Sequence, residues 1–155
     1  HQDLDYLVEQ LDWAANVNEH FKDSHYLEPI ADGNTESEGY VDRWVVYGTV
    51  AGKQLFSAKE LTIAPGAKMT LKDPGASGMI TMQGRGRIGK LPLECPAMIR
   101  FGEMTEDEVF ISAEAAKNGV VIENLAKECP LVILRYFGPD VHPVLPAVGD
   151  HKKAK

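Results

Sequence analysis

From residue 44 to residue 137 the chain alternates apolar and polar positions in short runs rich in β-branched residues, broken by glycine and proline. Period-two alternation of this kind marks half-buried strands. Strands are expected at 44–50, 54–63, 68–71, 79–83, 97–101, 108–111, 120–124 and 131–137, with turns at Ala51-Gly52-Lys53 and Pro65-Gly66. Short strands at intervals of roughly 8–12 residues predict an all-β sandwich or barrel, not a parallel sheet with crossover helices. Between the last strands, Ala113 to Lys117 predicts one helical turn.

Ahead of this region the period changes. Leu4, Leu7, Val8 and Leu11 recur at the spacing of one helical face, Asp3 is placed to cap the exposed amides, and Trp13 extends the apolar side, which predicts a helix over 4–15. The stretch from Asn16 to Gly39 is polar, contains Pro29 and Gly33, and has no period, so residues 1–39 read as a helix followed by an arm. The barrel is expected over 40–140, and 141–155, with Pro143, Pro146 and several lysines, reads as a mobile C-terminal tail. A helix of about three turns is marginal alone, so its apolar face must pack on the barrel, on an absent domain or on a second copy. A homodimer or an additional upstream domain is therefore expected, and the start at His1 rather than methionine fits a missing upstream segment.

Composition narrows the partners. A chain of 155 residues, 44% apolar and 25% charged, suits one globular domain. Sixteen Lys and Arg against 23 Asp and Glu leave a net charge of −7, which repels a phosphate backbone, so no nucleic acid is expected. No apolar run approaches a membrane span and no signal core is present, so the expectation is no membrane and a cytoplasmic location. Cys95 and Cys129 each precede a proline; reduced thiols suit that setting, and a disulfide between them is the alternative.

Pro65-Gly66, the polar bend Lys72-Asp73-Pro74-Gly75, Gly84-Arg85-Gly86 and the run from Asp107 to Ser112 follow one another in the order of the two motifs of the cupin superfamily. The chain resembles that family over roughly residues 44–137. The resemblance implies a cupin-like double-stranded β-helix, a jelly-roll barrel, with a short N-terminal helix and arm. Metal-binding cupins carry two histidines and a glutamate after the proline-glycine pair and another histidine in the second motif. Carried onto this chain, those positions fall at or near Lys72, Pro74, Ser77 or Gly78, and Lys117. None holds a ligand residue of the motif, and His1, His20, His25, His142 and His151 all lie outside the region. The resemblance thus implies a degenerate member with no metal and no cofactor.

The remaining chemistry is sparse. Gly84-Arg85-Gly86 with Gly89 lacks the following helix that a phosphate loop needs, so it reads as a β-turn or barrel corner, with Arg85 and Arg87 on one solvated face. Met69 and Leu71 share one parity and Lys68, Thr70 and Lys72 the other, so burial of the apolar set puts the lysines outside. The resemblance points the other way and would bring Lys72 into the pocket, where it needs an acid partner such as Asp73, Glu103 or Glu123. The ligand-binding candidates are Lys72, Gln83, Glu123 and Arg135, and no catalytic residue is assigned. Glu123 and Arg135 flank the turn before Leu131 and are expected to pair across strands, while Tyr136 and Phe137 pack. Neither cysteine has a histidine base nearby in sequence, and His20 and His25 are five apart, off a shared helical face.

Two functions follow. One is a noncatalytic or ligand-binding cupin-like domain taking a small anionic molecule, with Met69, Met79 and Met82 plugging the barrel. The alternative is a metal-independent enzyme of isomerase or lyase type acting on a small anionic sugar or carboxylic compound. There Lys72 or Arg135 would hold the anion while Glu103 or Glu123 moved a proton.

Overall fold

The alternating runs pair into one antiparallel sheet system. The computed structural model of the chain describes residues 3–33, 35–98 and 101–149, and divides it into Glu28–Ala147 and a second unit made of the segment up to Leu27 with the chain from Val148 onward.

In the smaller unit the expected helix over 4–15 is two pieces, α1 (Leu4–Glu9) and α2 (Trp13–Asn16), followed by α3 (Phe21–His25) inside the stretch read as an arm. Asp3 accepts from the Tyr6 amide at 3.1 Å, as its position suggested. The break comes from Asp12, whose carboxylate accepts from the Ala15 amide at 2.9 Å and so starts a new helix at Trp13. None of the three helices buries a residue.

The larger unit contains β1 (Ile30–Ala31), a 3-10 turn (Glu36–Glu38), β2 (Tyr40–Val46), β3 (Ser57–Ile63), β4 (Lys68–Leu71), β5 (Ser77–Ile88), β6 (Leu91–Cys95), β7 (Glu108–Ile111), the helix α4 (Ala113–Asn118), β8 (Val120–Asn124) and β9 (Leu131–Phe137). The strand order is β1-β2-β3-β9-β5-β8-β4, with β6 and β7 also on β5, and every pairing is antiparallel. This curled, mostly β arrangement is the expected cupin-like jelly-roll barrel. The pairing of β1 with β2 brings part of the expected arm into the sheet.

β5 is the strand that closes the barrel. Its first half pairs with β7 and β9 and its second half with β6 and β8, and the change of partners occurs around Gly84, whose φ is +90°. A Cβ there would lie 2.5 Å from the Pro130 carbonyl oxygen, and one at Gly86 would lie 2.3 Å from that of Glu123. Glycine is required at this corner because backbone passes against backbone. The expected strand over 79–83 is therefore the middle of a twelve-residue one. The strand expected over 97–101 falls partly outside the described residues; its described positions are not in a strand, and β6 occupies Leu91–Cys95 instead.

Leu61, Ile63, Met69, Leu71, Met79, Ile88, Leu93, Ile111, Ile122, Leu131 and Ile133 form the apolar core. Met82 is not part of it and is exposed. At β4 the burial rule holds: Met69 and Leu71 point in, Lys68 and Lys72 out.

Candidate functional site

The buried face of the sheet changes character along its strands. On β3 the buried positions run from Ile63 and Leu61 to Lys59 and Ser57, and on β9 from Leu131 and Ile133 to Arg135 and Phe137. The antiparallel register sets Ile63 opposite Leu131 and Leu61 opposite Ile133 at one end, and Lys59 opposite Arg135 and Ser57 opposite Phe137 at the other. On β2, Trp44 is the partner of Lys59. One end of the barrel is thus apolar and the other charged.

Arg135 is fully buried at 0% exposure. Its Nη1 donates to Asp73 Oδ2 at 2.6 Å and its Nη2 to Asp42 Oδ2. Asp73 is carried by the polar bend after β4 and is itself buried, since it continues the inward parity of Met69 and Leu71. Lys59, 4% exposed, donates to Asp32 Oδ2, lies 3.5 Å from Asp42 Oδ2, and sits 4.3 Å above the centre of the Trp44 ring. Three carboxylates therefore surround two cations, with Asp42 shared between them. Pairing is what makes burial of Arg135 and Lys59 tolerable, because an isolated buried cation is strongly unfavourable.

The expected mobile tail begins inside this layer. His142 is 9% exposed and stands edge-on to both Trp44 and Phe137, with ring centres 4.8 and 4.5 Å away. Gln54 Nε2 donates to its carbonyl at 3.1 Å. Burial first, and then the neighbouring Lys59, hold the imidazole pKa below its usual value; Arg135 adds to this, and Asp73 and Asp32 oppose it. Several buried polar atoms here have no hydrogen-bond partner: Ser57 Oγ, Ser77 Oγ, Asp42 Oδ1, Arg135 Nε and His142 Nε2. Buried polar atoms are ordinarily satisfied by protein, water or ligand.

Of the four sequence candidates, Arg135 alone belongs to this layer. Lys72 and Gln83 are exposed. Glu123 pairs with Arg87, accepting from its Nε at 2.8 Å and its Nη2 at 2.5 Å. This corrects the expected Glu123–Arg135 pair: β5 lies between β8 and β9, so strands adjacent in sequence are not adjacent in the sheet. Glu103 lines a separate cleft with Leu91, Pro92, Met104, Val109 and Phe110. Cys95 and Cys129 are free thiols. The residues missed by sequence reasoning are Asp32, Asp42, Trp44, Lys59 and His142. Inward parity within β3 was the available signal for Lys59, which alternates with Leu61 and Ile63.

A metal, which many cupins hold, does not fit these residues. The positions that would carry its ligands are Lys72, Pro74, Ser77 or Gly78, and Lys117. Among the described residues no three His, Cys, Asp or Glu side chains gather as a ligand set, and the carboxylates of the charged layer are engaged by Arg135 and Lys59. Among the described residues no helix is long and apolar enough to cross a membrane.

Among solved structures the chain is similar to Rru_A2000 from Rhodospirillum rubrum, a cupin-2 domain, at 13% identity and a TM-score of 0.47, over 81% of this chain and 77% of that one. It is also similar to an RmlC-like cupin from Shewanella frigidimarina NCIMB 400 at 11% identity and a TM-score of 0.46, over 74% of this chain and 90% of that one. These neighbours are cupins. A mutant of Bacillus subtilis oxalate decarboxylase OxdC matches at 21% identity and a TM-score of 0.49, over 79% of this chain but 30% of that one. No family model and no curated protein matches the chain. At these identities the likeness is one of fold, which the sheet topology describes by itself.

Proposed function

We propose that the barrel is a noncatalytic binding domain whose charged end holds a small, uncharged, hydroxyl-rich molecule. The observation that carries this reading is that both interior cations are already neutralised from within, Arg135 by Asp42 and Asp73 and Lys59 by Asp32 and Asp42. An anionic ligand, the class suggested by the sequence, would have to displace a buried carboxylate from Arg135. The buried polar atoms left without a partner are a mixed set of donors and acceptors on Ser57, Ser77, Asp42, Arg135 and His142. Hydroxyl groups, which both donate and accept, match such a set. The test is calorimetric titration of the full chain at pH 8 with pyranoses and polyols, against sugar phosphates and dicarboxylates of similar size. Binding confined to the neutral compounds supports the proposal; binding confined to the anionic ones overturns it.

The second reading, a metal-independent isomerase or lyase, draws on one observation. Burial lowers the His142 pKa and its Nε2 has no partner, which favours the uncharged ring that a proton acceptor needs. Deuterium incorporation from heavy water into any bound compound would favour this reading.

A further inference from the structure

We propose that residues 138–147 form a strap over the charged end of the barrel, latched by the His142 ring between Trp44 and Phe137, and that protonation of this ring releases the strap. Its use in admitting a ligand rests on the binding reading above; the latch itself does not.

The strap is built to move as a piece. It leaves β9 at Gly138-Pro139, belongs to no helix or strand, and includes Asp140 at a φ of +56°. A side chain at Gly138 would meet nothing within 4 Å, so this junction is uncrowded. Pro139, Asp140, Pro143, Val144 and Ala147 are exposed, whereas His142 is buried and Val141 packs against Gly75, where a Cβ would lie 3.0 Å from Val141 Cγ1. A few loop residues that absorb the backbone change are the usual hinge of such a closure.

The latch is sensitive to charge because of what surrounds it. Lys59 from β3 and Arg135 from β9 repel an imidazolium, while Asp73 from the bend after β4 and Asp32 from the turn after β1 attract it. Asp42 of β2 lies among the same groups but is shared by Arg135 and Lys59. Protonation would also place a charge on a ring whose Nε2 is buried without a partner. The lowered pKa agrees in direction. Above the ordinary histidine range the ring is neutral whether the strap is closed or open, and closure has its full strength. As pH falls from about 6.5 toward the lowered value, the open form takes up its proton first, and the closed-to-open ratio drops about tenfold per pH unit. Below the lowered value the loss is complete.

The experiment uses the full chain carrying Trp13→Phe, which leaves Trp44 as the reporter. Acrylamide quenching of its fluorescence is followed from pH 8 to pH 5 alongside far-UV circular dichroism. The expected result is a severalfold rise in quenching on acidification with unchanged circular dichroism, and a flat response once His142→Phe or His142→Gln is added. Flat quenching in the parent, the same rise in a folded His142 variant, or a rise that coincides with loss of secondary structure overturns the proposal. No ligand enters this assay, so it fails independently of the binding titration.

Discussion

Arg135→Met removes the cation that joins β9 to β2 and to the bend after β4. Methionine fills much of the same volume, so the main loss is electrostatic: Asp73 stays buried with its charge uncompensated and Asp42 keeps only its contact with Lys59. Breaking a buried pair by deleting one partner costs about 3–5 kcal/mol. For a unit the size of Glu28–Ala147, at roughly 4 °C per kcal/mol, the melting temperature should fall by roughly 12–20 °C. Adding Asp73→Asn to Arg135→Met removes the stranded charge and should recover about 1–3 kcal/mol, giving a clear coupling in the double-mutant cycle. Urea unfolding of the parent, both single variants and the double variant provides the four free energies. A loss below about 1 kcal/mol for Arg135→Met, or strictly additive single effects, would refute the idea that this network holds the charged end together.

Other consequences are smaller and separable. Gly86→Ala should destabilise by about 1–3 kcal/mol in urea, because its Cβ meets the Glu123 carbonyl at 2.3 Å, while Gly89→Ala, with open space around it, should cost only the left-handed strain of about 1–2 kcal/mol. Glu123→Gln should change stability by less than about 1 kcal/mol, since its partner Arg87 is half-exposed. Burial, and then Glu38 and Asp42, raise the Tyr40 pKa above 10.0, so its native-state stabilisation is complete below that value and is lost as pH rises through the higher one. A late phenolate transition in ultraviolet titration that disappears in Tyr40→Phe is the expected sign. If the half-exposed Leu7 of α1 and Leu11, just beyond that helix, pair two copies, Leu7→Ser with Leu11→Ser will lower the sedimentation mass, and an unchanged mass rules that contact out.

The barrel was legible where its strands alternate, as in β4 and β9: β4, β7, β8 and β9 lie at the expected residues, and the Gly84 corner is where the glycines suggested. The charged layer was not. Asp32, Asp42, Lys59, Asp73 and His142 are far apart in sequence, and each taken singly looks like a solvated residue. Lys59 departs from the usual rule that lysines stay outside, and its burial rests on the carboxylates of Asp32 and Asp42 and on the Trp44 ring, none of them near it in sequence. Lys72 shows the converse, since a local parity rule placed it outside, where it is exposed just after β4, although the resemblance would have turned it inward. His142 was hidden by its Pro-rich surroundings, which resemble a tail although the aromatic pair Trp44 and Phe137 captures the ring. The Glu123–Arg135 expectation failed for a topological reason that pairwise reading cannot supply, the insertion of β5 between two strands consecutive in the chain.

The most direct test of the central claim is a crystal structure of freshly purified full chain at pH 8, with elemental analysis of the same sample. The account predicts Arg135 bridging Asp42 and Asp73, no stoichiometric metal, and density from water or a hydroxylated molecule hydrogen-bonded to Ser57, Ser77 or His142. A metal bound in the barrel, or an anion on Arg135 in place of either carboxylate, would contradict it.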